Sequence, residues 1–267
     1  MKYKAEDEKR LMTEIWSVNV KDDPLNFVKF AFPWGMKDTP LEDFKGPRKW
    51  QEKILREMTI HIARNGTRDL PEMFRMAVAS GRGIGKSALV SWIILWMLST
   101  RLGATIIVTA NTEQQLRSRT WAELGKWMTL SINSHWFQKT ATTVKPAPWF
   151  QEALERDLKI DTGYYYAQAQ LWSEENPDAF AGIHSSYGVC LIMDEASGIP
   201  SPIYSVSEGF FSEPTSNRYW FTFSNPRRNT GPFYDSFNSK KRFWQNVQID
   251  SRTVEGTDQK LFQSMIE

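Results

Sequence analysis

Cysteine and histidine are nearly absent from this chain. Cys190 is the only thiol, and His61, His135 and His184 lie far apart in 267 residues. No disulfide framework is possible, and no Cys or His spacing suits a structural transition-metal site. A lone thiol inside an apolar run points to a reducing, intracellular setting. Long apolar runs are missing as well. The longest, Ala88 to Leu98, is too short to span a bilayer and is interrupted by Ser91. The N-terminus, Met1-Lys-Tyr-Lys-Ala-Glu-Asp-Glu-Lys-Arg10, is too charged for a signal peptide. A soluble chain with no membrane partner is expected. Charge of one sign is also lacking: 33 Lys and Arg against 31 Asp and Glu leave a net charge of +2. Any DNA contact would therefore come from local basic loops, not from a global field. No internal repeat, low-complexity linker, Gly-x-Ser-x-Gly or Ser-His-Asp constellation is visible.

What is present centres on Phe74-Arg-Met-Ala-Val-Ala-Ser80-Gly81-Arg82-Gly83-Ile84-Gly85-Lys86-Ser87. This reads as an apolar strand, a glycine-rich turn and a helix, with a lysine and a hydroxyl at the turn–helix junction. Such an arrangement aims backbone N–H groups, a helix N-terminus and an ammonium at one point, which suits the β- and γ-phosphates of a nucleotide. Ser80 takes the place of the first glycine in G-x-x-x-x-G-K-[ST], and Gly81 is expected to supply the tight turn instead. Arg82, inside the loop, could reach the γ-phosphate, or could be a solvated loop arginine.

Downstream, Val189-Cys-Leu-Ile-Met193-Asp194-Glu195 is an apolar strand ending in two carboxylates. An Asp on the tip of a strand neighbouring the loop could hold Mg²⁺ with Ser87, and the adjacent Glu could polarise a water. Gln51 precedes the loop at the start of a helix; its amide could read adenine bidentately, or could sit on a helix surface. Trp34, Phe32 or Trp50 could stack on the base, or belong to the core. Ser224-Asn225-Pro226 ends another strand, Tyr219–Phe223, where a polar pair could sense hydrolysis or simply form a turn.

Periodicity predicts a charged helix over 5–18 with Leu11, Ile15 and Val18 on one face. A second helix is expected after Asp22-Asp23-Pro24, carrying Leu25, Phe27, Val28 and Phe30, and a third from Pro47 to about Arg64. Ala104–Thr109 reads as a buried strand and 113–130 as the following helix, so that strand–helix alternation implies a parallel sheet. Leu158–Ile160 and Tyr164–Leu171 flank Asp161-Thr162-Gly163, which predicts a hairpin. Residues 258–266 read as a final helix.

In its motifs the chain resembles the ATPase domain of the large terminase subunit, the DNA-packaging motor of tailed bacteriophages. The resemblance is carried by Trp50-Gln51, by Ser80-Gly-Arg82-Gly-Ile-Gly-Lys86-Ser87 and by Thr109-Ala-Asn-Thr-Glu-Gln-Gln115. Leu191-Ile-Met-Asp194-Glu195-Ala-Ser197 and Phe223-Ser224-Asn225-Pro226-Arg227 complete it. It implies an α/β fold, a RecA-like (ASCE) P-loop NTPase core with a mainly parallel central sheet over 47–250. An N-terminal helical segment (1–46) and the start of a small lid (251–267) would flank that core. It implies ATP as ligand, with adenine at Gln51 and phosphates held by Ser80, Gly81, Arg82, Gly83, Ile84, Gly85, Lys86 and Ser87. Mg²⁺ would lie on Ser87 and Asp194, Glu195 would activate water, and Ser224-Asn225 would couple hydrolysis to lid movement.

The family's partners are double-stranded DNA, a portal protein and a small terminase subunit. Its setting is the host cytoplasm, with a homo-oligomeric, usually pentameric ring docked on the procapsid portal. Arg156, Arg218, Arg227 and Arg228 are candidates for an arginine acting in trans, and Lys240-Lys241-Arg242 and Arg227-Arg228 for contacts to DNA phosphates. The family's nuclease domain is expected to lie outside these 267 residues. Two other readings share the motifs: a Gln-motif helicase fragment, and a nucleotide-dependent assembly module without significant turnover.

Overall fold

Apolar segments rich in β-branched and aromatic residues can satisfy their backbone only by pairing with each other under cover of helices. In the computed structural model, which describes residues 4–258, they form one eight-stranded sheet. Its strands are β1 (Phe74–Ser80), β2 (Thr105–Ala110), β3 (Phe137–Lys139), β4 (Thr143–Pro146), β5 (Tyr166–Ala169), β6 (Val189–Asp194), β7 (Arg218–Ser224) and β8 (Gln245–Ile249). The order across the sheet is β3-β4-β5-β2-β6-β7-β1-β8. From β5 to β8 every neighbouring pair is parallel, and β3 and β4 add an antiparallel edge. Every residue of β2 and β6 is buried, as parallel strands covered on both faces must be.

Alternate side chains of β1 enter two separate cores. Phe74, Met76 and Val78 face one, and Ala77 and Ala79 the other. The first core is built around α5 (Lys86–Thr100), which is buried from Leu89 to Thr100 and therefore apolar on all sides. Around it pack α1 (Ala5–Ile15), α2 (Val18–Lys21), α3 (Pro24–Ala31) and α4 (Lys49–Asn65). Trp96 and Arg101 donate to the Lys21 carbonyl, both at 2.9 Å, and Arg101 pairs with Asp22 at 2.9 Å, tying α5 to the N-terminal helices. Asp23 caps α3 by accepting from the Leu25 and Asn26 N–H groups, with Pro24 in the first turn.

Several local expectations change. The helix expected over 5–18 ends at Ile15, and Val18 opens the short α2 with 68 % of its surface exposed. Phe30 faces outward from α3. The hairpin around Asp161-Thr162-Gly163 does not form. Leu158 closes a helix, α8 (Pro148–Leu158), and β5 then pairs parallel with β2 and antiparallel with β4. The true hairpin is β3–β4, and β8 was not foreseen. The helix predicted over 113–130 begins as α6 (Glu113–Gln115), widens into a π-helical segment (Leu116–Trp121) and continues as α7 (Ala122–Leu130). The predicted final helix lies outside the described residues. Among the described residues no helix is long and apolar enough to cross a membrane.

Candidate functional site

Five residues separate the buried end of β1 at Ser80 from the start of α5 at Lys86. Gly83 (φ 71°) and Gly85 (φ 93°, the N-cap of α5) adopt left-handed backbone that other residues resist. Gly81 does not. A side chain there would meet the Ser251 hydroxyl, which would have to turn aside. Ile84 is fully buried. The loop carbonyls are engaged: Trp50 Nε1 donates to Ile84 at 3.1 Å, Gln51 Nε2 to Gly85 at 2.8 Å, and Lys86 Nζ to Gly81 at 2.8 Å. No side chain caps α5, so its first-turn N–H groups and the adjacent ammonium remain available to an anion.

Gln51 lies under the loop. It is 3 % exposed, and its amide is used at both ends within the protein. Oε1 accepts from the Arg48 N–H at 2.8 Å while Nε2 holds the Gly85 carbonyl. In this structure Gln51 braces α4 against the loop with both ends of its amide.

The carboxylates were expected on a strand next to β1. They lie one strand further away, because β7 is inserted between β1 and β6. The chain still brings the two motifs together. Burial lowers the pKa of Lys86, and Glu195 and then Asp194 oppose that shift, while Arg82 and Arg227 reinforce it. Burial raises the pKa of Asp194, against the Thr120 hydrogen bond. Asp194 Oδ2 accepts from Thr120 Oγ1 at 2.7 Å and Oδ1 from the Glu195 N–H at 3.0 Å. Glu195 has φ 50°, a conformation uncommon for a non-glycine residue and often found where function requires it.

Ser224, the last residue of the intervening β7, and Asn225 just beyond it connect to the turn that follows Glu195. The Ser197 N–H donates to Ser224 Oγ at 3.1 Å, Ser224 Oγ to Ser197 Oγ at 2.8 Å, and Ser197 Oγ to the Asn225 carbonyl at 3.1 Å. A strand tip, a carboxylate turn and a glycine loop thus share one end of the sheet.

No protein-family model matches the chain. Over 168 residues it is 30 % identical to a protein of Enterobacteria phage P7 named as a probable terminase, large subunit. The chain resembles the large terminase subunit. That match takes in 60 % of this chain and 30 % of the phage protein, so the chain spans under a third of its relative's length. The large terminase of the thermophilic bacteriophage D6E superposes with a TM-score of 0.54 at 13 % identity, over 82 % of this chain and 50 % of that one. The fold is accordingly that shared with this large terminase, a RecA-like, mainly parallel sheet with flanking helices. A mutant ATPase domain of the Thermus phage P74-26 large terminase gives 0.46 at 17 % identity, over 67 % of this chain and 76 % of that one.

On this terminase-like frame the remaining candidates separate. Arg82 and Arg227 act electrostatically on Lys86, and both are exposed. Arg228 lines a cleft of about 620 Å³ beside Ser80 and Gly81, together with Phe233 and Asp250. Arg218 sits at the opposite end of β7, donating to the carbonyls of Pro71, Phe211 and Thr215. Arg156 pairs with Asp157 and Glu152 on the exposed side of α8. Lys240, Lys241 and Arg242 are exposed in a short turn before β8. Among the described residues no group of three His, Cys, Asp or Glu could hold a metal. Thr120 and Ser251 are lone hydroxyls that no sequence pattern marks, whereas Ser197 ends the motif that begins at Leu191.

Proposed function

We propose that this chain is the ATP-hydrolysing motor domain of a large terminase subunit, driving double-stranded DNA into a procapsid. The observation that carries the proposal is the shared register of β1, β7 and β6: Ser224 lies beside Ala79 and Asp194 beside Phe223, so the glycine loop and the two carboxylates leave the same end of the sheet. In this reading the N–H groups at the start of α5 and the Lys86 ammonium, released from the Gly81 carbonyl, hold the β- and γ-phosphates. Ser87 and Asp194 offer oxygen donors only. A hydroxyl and a carboxylate suit a hard cation that completes its shell with phosphate oxygens and water, as Mg²⁺ does. Mg²⁺ held there would neutralise charge developing on the phosphates.

In this reading Glu195 orients a water for in-line attack. Arg82, in the same loop, stabilises the transition-state charge from within the subunit. Ser224 and Asn225, bonded through Ser197 to the turn after Glu195, pass the change at the γ-phosphate to the rest of the domain. Action as a ring on a portal, with a small subunit and in the host cytoplasm, belongs to the same proposal. Single-turnover hydrolysis with and without duplex DNA tests it. Lys86→Ala should lose nucleotide binding. Glu195→Ala should bind ATP but hydrolyse it at least about a hundredfold more slowly. Equal rates in wild type and both variants would end the enzymatic reading.

A further inference from the structure

The Asp194 carboxylate is held at both oxygens, and one of its partners comes from 74 residues away in sequence. That partner, Thr120, is 1 % exposed and sits in the π-helical segment after β2. A helical Ser or Thr hydroxyl commonly bonds back to its own helix, as Ser118 does to the Gln114 carbonyl. Thr120 instead donates across to the tip of β6. π-helical turns occur mostly as single-turn insertions inside α-helices, frequently at functional sites. A β-branched side chain is also stiff at χ1, so the hydroxyl direction is fixed by the backbone that carries it.

We propose that Thr120 is a positioning residue for Asp194. Its hydroxyl fixes the rotation of the carboxylate, leaving the remaining lone pairs aimed at the divalent cation of a bound nucleotide. The inference rests on the nucleotide-site reading above. Without the hydroxyl, Oδ2 has lost its partner in a buried setting, and the carboxylate turns to find another.

The test is titration of Mn²⁺, as a probe for Mg²⁺, into the protein saturated with a non-hydrolysable ATP analogue, followed by electron paramagnetic resonance. Thr120→Val should weaken Mn²⁺ binding about tenfold, the lower end for loss of a ligand's supporting hydrogen bond, while metal-free nucleotide affinity stays unchanged. Thr120→Ser, which keeps the hydroxyl, should stay close to wild type. Should Thr120→Val not fold, Thr120→Ala takes its place with the same expected loss. Wild-type Mn²⁺ affinity in the valine or alanine variant would overturn the proposal, as would a serine variant as weak as either. If wild type itself takes up no Mn²⁺ with the nucleotide, the nucleotide-site reading falls along with this one.

Discussion

Ser251 Oγ stands where a side chain on Gly81 would project, so the segment after β8 lies directly against the loop after β1. Ser251 is 7 % exposed, and its hydroxyl has no hydrogen-bond partner among the described residues. The neighbouring Glu255 accepts from the Lys49 N–H at 3.2 Å, which draws the same segment across the start of α4. Gly81→Ala should therefore overpack this contact and destabilise the protein by about 1–3 kcal/mol. Ser251→Gly in the same chain should recover much of the loss, giving a coupling of about 1 kcal/mol or more in denaturant unfolding. Strictly additive effects would mean that Gly81 is glycine for some other reason.

Gln51 provides a second test, because bracing the loop and reading adenine predict different selectivity. Gln51→Met leaves the Gly85 carbonyl and the Arg48 N–H without their partner. Each such loss costs about 1–3 kcal/mol where the group stays dry. A displaced loop holds every nucleoside triphosphate less well, so ATP and GTP affinities should fall together, by roughly 5- to 30-fold. A loss confined to ATP in competitive binding would restore the adenine reading.

How much of this was legible beforehand depends on how local each signal was. The strand–loop–helix around Lys86 and the strand ending at Asp194 were readable, because each is set by neighbouring residues. That β7 separates them was not, since strand order is decided by packing between distant segments. Asp161-Thr162-Gly163 has good turn chemistry, but β5 finds better partners in β2 and β4 than in the three residues before the turn. β8 escaped notice because Gln245-Asn-Val-Gln-Ile249 is an edge strand whose polar residues lack a buried strand's pattern. Thr120 and Ser251 act through single contacts at long range, which no spacing rule can reveal.

His61 carries a prediction about pH. It is 8 % exposed, with its ring 5.0 Å from that of Phe74 and 6.2 Å from that of Tyr219. Burial holds its pKa below the ordinary 6.5; Glu72 opposes this, and Arg68 and Arg64 add to it. As pH falls below 6.5 the unfolded chain takes up the proton before the folded one does. Stability is therefore present above 6.5 and declines through the window down to the depressed value, by at most about 1.4 kcal/mol per pH unit for one proton. His61→Phe, packed against the same rings, should remove that slope between pH 5 and 7 in denaturant unfolding. Identical slopes in the two proteins would show that His61 does not titrate on unfolding.

Contact with DNA, if this domain is a motor, must ignore base sequence, because every segment of a genome passes through it. That leaves the phosphates and makes affinity a matter of counterion release. The exposed turn at Lys240, Lys241 and Arg242 and the exposed pair Arg227-Arg228 are the basic clusters nearest in sequence to the Ser224-Asn225 tip. A net charge of +2 cannot attract DNA at long range, so these local charges have to provide the grip. Duplex affinity should fall steeply as salt rises, equally for unrelated sequences. Replacing Lys240, Lys241 and Arg242 by alanine should then flatten the plot of log affinity against log salt by about one unit for each phosphate contact removed. An unchanged slope would clear this turn of any part in the grip, and affinity indifferent to salt would count against phosphate tracking altogether.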